Sequence, residues 1–309
     1  MGSLSGPNNE PYVDFHSKWK EEQEQLTDEL RSALDADLGE MQLRELVRKV
    51  ETHYEEYYAA KDDAVRQNVL TVMQPAWKSP LENVFMWIGG WRPTMVFQLA
   101  YAQAGQQMEA ELAEFLQDLD TPSMASLSAK QLQRISDLQV VTQKAEDELG
   151  HRQAILQQGL VDQPLLTLAA VELSGDASAE QHPAEHALTD AVDEKVKGLE
   201  DLCHDADRLR CDTLKKMLKI LTPVQAAQYL VAAAQLQMAI RRIGVAKQGA
   251  AEQHKNGDEL EHKNGETETH TKETKQSSTI DIDIDITELI RSVLGVYIQG
   301  FRQGVYGFV

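Results

Sequence analysis

From Phe15 to Ile243 the apolar residues recur three and four positions apart, with Glu, Gln, Lys and Asp between them. That spacing places them on one face of a helix and leaves the opposite face charged. One stripe runs Phe15, Trp19, Leu26, Leu30 and Leu34. A second runs Leu43, Val47, Val50, Tyr54 and Tyr57, continues through Val65, Val69 and Val72, and stops at Pro75. A third runs Leu132, Ile135, Leu138, Val141 and Leu149, and a fourth runs Leu188 to Leu221. An alanine-rich helix follows through Leu230, Ala234 and Ile240. Before residue 279 no run alternates with period two, as a half-buried strand would. The expected fold is all-α, a bundle of long antiparallel helices joined by short loops, with a disordered C-terminal tail.

Three of the four tryptophans fall between Trp77 and Pro93, in W-K-S-P-L-E-N-V-F-M-W-I-G-G-W-R-P. Ser79, Pro80 and Glu82 form a capping box with proline at the first helical position, which predicts a short helix. Gly89 and Gly90 are expected to end it, and Pro93 to open the next, giving a helix–Gly-Gly–helix corner. Trp77, Phe85, Trp87 and Trp91 crowd this corner. A ligand pocket lined by indoles is one reading; a packing centre is the expected one, because rings at helical spacing are usually core. Arg92 is the corner's own charge and suits either an indole face or an ion pair. Further capping boxes stand at Ser128/Gln131 and Thr222/Gln225.

The formal net charge of −20 argues against direct nucleic-acid binding, since phosphate contacts need clustered Lys and Arg. The only cysteines, Cys203 and Cys211, lie too far apart to bond to each other, which fits a reducing compartment. No apolar run is long enough to span a bilayer, and the start M-G-S-L-S-G lacks a secretory h-region, so an intracellular, soluble protein is expected. No phosphate loop, G-x-S-x-G, C-x-x-C or H-E-x-x-H occurs, and Glu146-Asp147-Glu148 reads as a solvated helix face. No enzyme is expected. The basic, amphipathic stretch Arg208 to Leu221 is read as a continuing core stripe rather than a calmodulin target.

W-K-S-P-L-E-N-V-F-M-W-I-G-G-W-R-P resembles the aromatic Gly-Gly-aromatic-Arg-Pro core of the plant Delay of Germination (seed dormancy control) domain, also found in TGA-type leucine-zipper transcription factors. H-Y-E-E-Y-Y-A-A-K from His53 to Lys61 resembles that family's tyrosine-rich helix. Leu127 to Gln139 and Asp205 to Leu230 resemble its later helices. The likeness spans residues 12 to 248, after a flexible lead over 1–11 and before a disordered polar linker over 249–285 and a short amphipathic segment over 286–309. It marks Trp77, Phe85, Trp87, Gly89, Gly90, Trp91, Arg92 and Pro93 as the family's structural core. No basic region or zipper precedes the domain here, so the likeness is to stand-alone members.

The resemblance implies a non-enzymatic regulator of seed dormancy, abscisic acid signalling and transcription. It would sit in the nucleus, with the cytoplasm also open, and work through protein–protein contacts. Partners implied are type 2C protein phosphatases, through the frame of Asp14 and Trp19, or transcription factors; a homo-oligomer is compatible. An alternative is a sequence-specific, DNA-associated transcription regulator. Another is a sensor of haem or a hydrophobic ligand, since some members bind haem through histidines. The one i, i+4 histidine pair is His182 and His186, placed by Pro183 and polar neighbours in a loop.

Overall fold

The computed structural model describes residues 10–105, 127–159 and 181–264. The helices are α1 (Glu10–Asp35), α2 (Glu40–Met73), α3 (Pro80–Val84), a helical segment α4 over 95–105, α5 (Ala129–Gln158), α6 (Gln181–Ile220) and α7 (Pro223–Asn264). The protein is all-α; among the described residues the only β-type pairing is an isolated bridge between Trp87 and Gly90. Two compact units divide the chain, Met1–Val245 and Ala246–Val309. No helix among the described residues is long and apolar enough to cross a membrane.

α1 packs on α2, α2 on α6, and α5 on α6. The main core joins Leu26 and Leu30 of α1, Leu43 and Val50 of α2, Phe97 of α4, Ile135 of α5, Met217 of α6 and Leu230 of α7. Each such side chain withdrawn from water contributes roughly 1.5–3 kcal/mol. Smaller clusters, one around Val65, Val69 and Cys203 and one around Trp87, Leu149 and Leu202, extend the packing towards the 87–91 turn.

Local sequence explains the helix ends. α1 closes with Asp37 in the left-handed region (φ 49°), while Leu38 N–H donates to the Ala33 carbonyl at 3.0 Å. This is a Schellman closure in which aspartate takes the usual glycine position. Ser79 and Glu82 form the reciprocal cap of α3, and Ser128 and Gln131 that of α5. Thr222 and Gln225 do the same for α7, at 2.9 and 3.3 Å. In α2 the backbone leaves helical geometry at Asn68, whose side-chain carbonyl accepts from Thr71 N–H at 3.3 Å. Asparagine offers the backbone this local alternative and so marks the kink.

Three expectations are corrected. α3 stops at Val84, and Gly89 and Gly90 lie in a hairpin turn rather than a helix C-cap. α6 begins at Gln181, so residues 182 and 186 sit on helix, not loop; a proline in the first turn loses no helical hydrogen bond. α7 stays helical past 249 to Asn264, because Glu, Gln, Lys and Ala favour helix without needing a buried face. The remainder of the polar linker, the segment 286–309 and the lead over 1–9 lie outside the described residues.

Candidate functional site

The 87–91 turn is built from backbone outward. Trp87 N–H donates to the Gly90 carbonyl at 2.6 Å, and Gly90 N–H returns the bond at 3.2 Å. Between them Ile88 and Gly89 both have positive φ, 45° and 67°. Two central residues of that sign define a type I′ hairpin turn. Gly89 adopts the geometry freely. Ile88 does not, because a β-branched side chain crowds the backbone there, and its burial holds it in place.

Such a turn points carbonyls into the interior, where each needs a donor. Lys61 of α2 donates to the Gly89 carbonyl at 2.8 Å. Arg210 of α6 donates from Nε to Trp91 O at 2.6 Å, and from Nη2 to Ile88 O at 2.9 Å and to Trp87 O. Asp207 accepts from Lys61 at 2.8 Å and also from Arg210. Lys61, Asp207 and Arg210 are 2%, 7% and 6% exposed. Burying such charges is costly unless they are paired and hydrogen-bonded, and here the turn supplies the missing acceptors. The arrangement ties α2, α6 and the turn into one unit. The carboxylate and the two cations stand in the stretches that the sequence likened to the family's tyrosine-rich and later helices.

Two guanidiniums lie over the Trp87 ring, with Arg92 Cζ and Arg210 Cζ each 5.5 Å from its centroid. Arg92 therefore takes both roles open to it, since its Nη1 is also 3.6 Å from Glu146. Trp87 is buried, Trp77 and Trp91 are half-buried, and Phe85 is 47% exposed. Phe85 thus departs from the packing-centre expectation: α3 ends before it and leaves its ring outside.

Glu146 corrects the solvated-face reading. It is 3% exposed and accepts from Thr94 N–H at 2.6 Å and Thr94 Oγ1 at 3.1 Å, capping the start of α4, whereas Asp147 and Glu148 are exposed. Burial raises its pKa, opposed by the Thr94 bonds and Arg92. Its place on an acidic run hid it, because the partner lies 52 residues away.

On α1 the two residues of the docking frame part company. Asp14 is exposed, while Trp19 is 4% exposed, stacks on His53 with centroids 4.6 Å apart, and donates from Nε1 to the His53 carbonyl at 2.9 Å. His16, Tyr57 and Trp77 extend this aromatic layer. Burial first, then Lys78, Lys20 and Arg241, push the His16 pKa down to about 4, so the ring is neutral at physiological pH.

A surface cleft of about 760 Å³ opens between α2, α5 and α6. Among its charges, Asp62 pairs with Arg66 and His204, and Asp205 with Arg152 at 2.7 Å and Arg208 at 3.8 Å. Burial raises the pKa of both thiols, Cys203 and Cys211, and keeps them protonated and weakly nucleophilic.

The family described as seed dormancy control matches residues 26–102, which hold both Lys61 and the 87–91 turn. Protein DOG1-like 3 of Arabidopsis thaliana is 33% identical over 211 residues, covering 65% of this chain and 72% of that protein. The chain belongs to the seed dormancy control family. Protein DOG1-like 4 of Arabidopsis thaliana, at 30% identity over 247 residues, covers 79% of this dormancy-family chain and 96% of its own. Transcription factor TGA2 of the same plant is 33% identical over 217 residues, 70% of this chain but 58% of that factor. Membership of the seed dormancy control family places the chain's role in dormancy or transcription-related regulation, and the relatives named are not enzymes by name.

Proposed function

We propose that this member of the seed dormancy control family is a non-enzymatic regulator of dormancy, abscisic acid signalling and transcription that works by docking its helical surface on other proteins. The observation that carries the reading is the use made of its buried charges. Lys61, Asp207 and Arg210 close the 87–91 turn, while Glu82 and Glu146 cap helix starts. These groups hold a scaffold together, and acidic helix faces remain outside. Type 2C protein phosphatases and transcription factors are the proposed partners, in the nucleus and also the cytoplasm, with exposed Asp14 as a contact. Affinity purification of the full chain from seed extract, read by mass spectrometry, tests this. Recovery of phosphatases or transcription regulators is the expected result, and recovery of neither overturns it.

Similarity to Transcription factor TGA2 favours a second reading, a DNA-associated regulator. A gel shift at low and moderate salt separates the two, because direct phosphate contacts weaken steeply with salt. For haem, residues 182 and 186 fall one turn apart at the start of α6 and so share a face. Either histidine would supply the imidazole that holds the iron. A Soret band lost in His182→Ala or His186→Ala identifies that ligand.

A further inference from the structure

The neighbourhood of Trp77 gathers positive charge in a chain whose formal net charge is −20. Arg241 of α7 donates to the Trp77 carbonyl at 3.4 Å. The next residue, Lys78, is half-buried; among the described residues its ammonium's one hydrogen-bond partner is the Met86 thioether, at 3.2 Å, while Tyr57 and Glu82 favour its charge from farther away. A thioether is a weak acceptor and carries no charge to balance an ammonium. His16 packs on Trp77 with centroids 6.2 Å apart, and Lys20 stands one helical turn beyond His16 on α1. Gly244 lets α7 approach closely here, since a Cβ at that position would stand 2.8 Å from the Ser79 Cβ and 3.2 Å from the Leu81 Cβ.

The carboxylates acting on this group are Glu82, which faces Lys20, Lys78 and Arg241 alike, and Glu21 and Glu24 of α1. Glu82 is shared between Arg241, at 3.7 Å, and the cap of Ser79, whose N–H and hydroxyl both donate to it at 2.8 Å. Glu21 and Glu24 flank Lys20 on its own helix. Burial is the first cause that lowers the pKa values of Lys20 and Lys78; Arg241 adds to it at Lys20 against Glu24, Glu82 and Glu21, and at Lys78 Tyr57 and Glu82 oppose it while Lys61 and Arg210 add to it. Beside this basic group the chain leaves Val84 78% and Phe85 47% exposed, immediately before Met86.

We propose that Lys20, Lys78 and Arg241, walled by His16 and Trp77, form a carboxylate-binding site for a partner protein's acidic segment, with a flanking apolar side chain of that segment resting on Val84 and Phe85. The site rests on the partner-docking reading and gives it a chemistry. An Asp or Glu docked here supplies the charged hydrogen-bond acceptor that Lys78 lacks among the described residues, in a partly desolvated setting where such a bond is strong. The apolar contact adds specificity for acidic residues next to bulky ones.

The test titrates the full chain, by calorimetry at low salt, with a short peptide alternating glutamate and leucine, its glutamine–leucine counterpart, and sodium acetate. The glutamate peptide is expected to bind. Lys20→Gln and Lys78→Gln should each weaken it about tenfold or more, Phe85→Ser should weaken it as well, and the glutamine peptide should not bind. Equal binding of the two peptides overturns the proposal, as does no binding. Acetate binding as tightly as the glutamate peptide shows a small-anion site only and overturns the partner assignment. Phe85→Ser lies at an exposed position, so its weakening of the glutamate peptide carries the result if a variant of the half-buried Lys20 or Lys78 fails to fold. If natural partners bind Lys20→Gln and Lys78→Gln as they bind the wild type, this site is wrong while protein docking stands; if the wild type captures none, the docking reading itself fails.

Discussion

A Cβ placed on Gly90 would stand 2.8 Å from the guanidinium carbon of Arg210. The turn and the α6 cation are therefore in contact at a distance only glycine permits. Gly90→Ala is expected to destabilise the fold by about 1–3 kcal/mol, because Arg210 cannot retreat without releasing the carbonyls it holds. Gly150, in the middle of α5, has nothing within 4 Å of its Cβ position. Gly150→Ala should stabilise by roughly 0.5–1 kcal/mol through helix propensity alone. Urea melts of the two variants should move in opposite directions.

Asp207 is the carboxylate that Lys61 and Arg210 share. Asp207→Ala leaves two buried cations facing each other and should cost on the order of 3–5 kcal/mol. Lys61→Met should cost less, since Asp207 keeps Arg210 and only the Gly89 carbonyl is orphaned, at about 1–3 kcal/mol. The double variant Lys61→Met/Asp207→Ala should cost less than the two single losses summed, because the groups are in one network. Equilibrium denaturation of all three checks the order.

Two buried groups give opposite pH signatures. The Glu146 carboxyl titrates above its ordinary 4.5 because burial disfavours its charge. The folded chain then holds that proton more tightly than the unfolded one, so its contribution is present below 4.5 and is lost as pH rises through the folded value. Glu146→Gln removes this slope, and Glu146→Ala costs roughly 1–3 kcal/mol by orphaning Thr94 N–H. His16 is lowered to about 4 from 6.5, so its contribution is present above 6.5 and is lost as pH falls towards 4. It is on the order of 3 kcal/mol. His16→Phe should flatten that acid limb in a series of melts between the two values.

Trp19 and Asp14 should separate folding from docking. Trp19 is spent on His53, so Trp19→Ala is expected to cost about 3–5 kcal/mol and to lower the melting temperature. Asp14 is exposed, and Asp14→Ala should leave stability within about 0.5 kcal/mol of wild type. A loss of partner capture in Asp14→Ala at unchanged melting temperature assigns that carboxylate to the contact surface.

Helix periodicity and capping chemistry are local, acting over one or two turns. The all-α class and the capped starts at Ser79, Ser128 and Thr222 are therefore readable from the residues alone, as are the family blocks, which stand as ordered strings. The conformation of Gly89–Gly90 is not, because a helix C-cap and a type I′ turn both ask for residues tolerant of positive φ, and the choice depends on what packs over the turn. The buried charges were decided by tertiary structure alone. Lys61 and Asp207 are 146 residues apart, and Glu146 meets Thr94 from another helix. A lysine or glutamate on a helix carries no local sign of burial, since its cost is offset only by partners that folding brings from elsewhere.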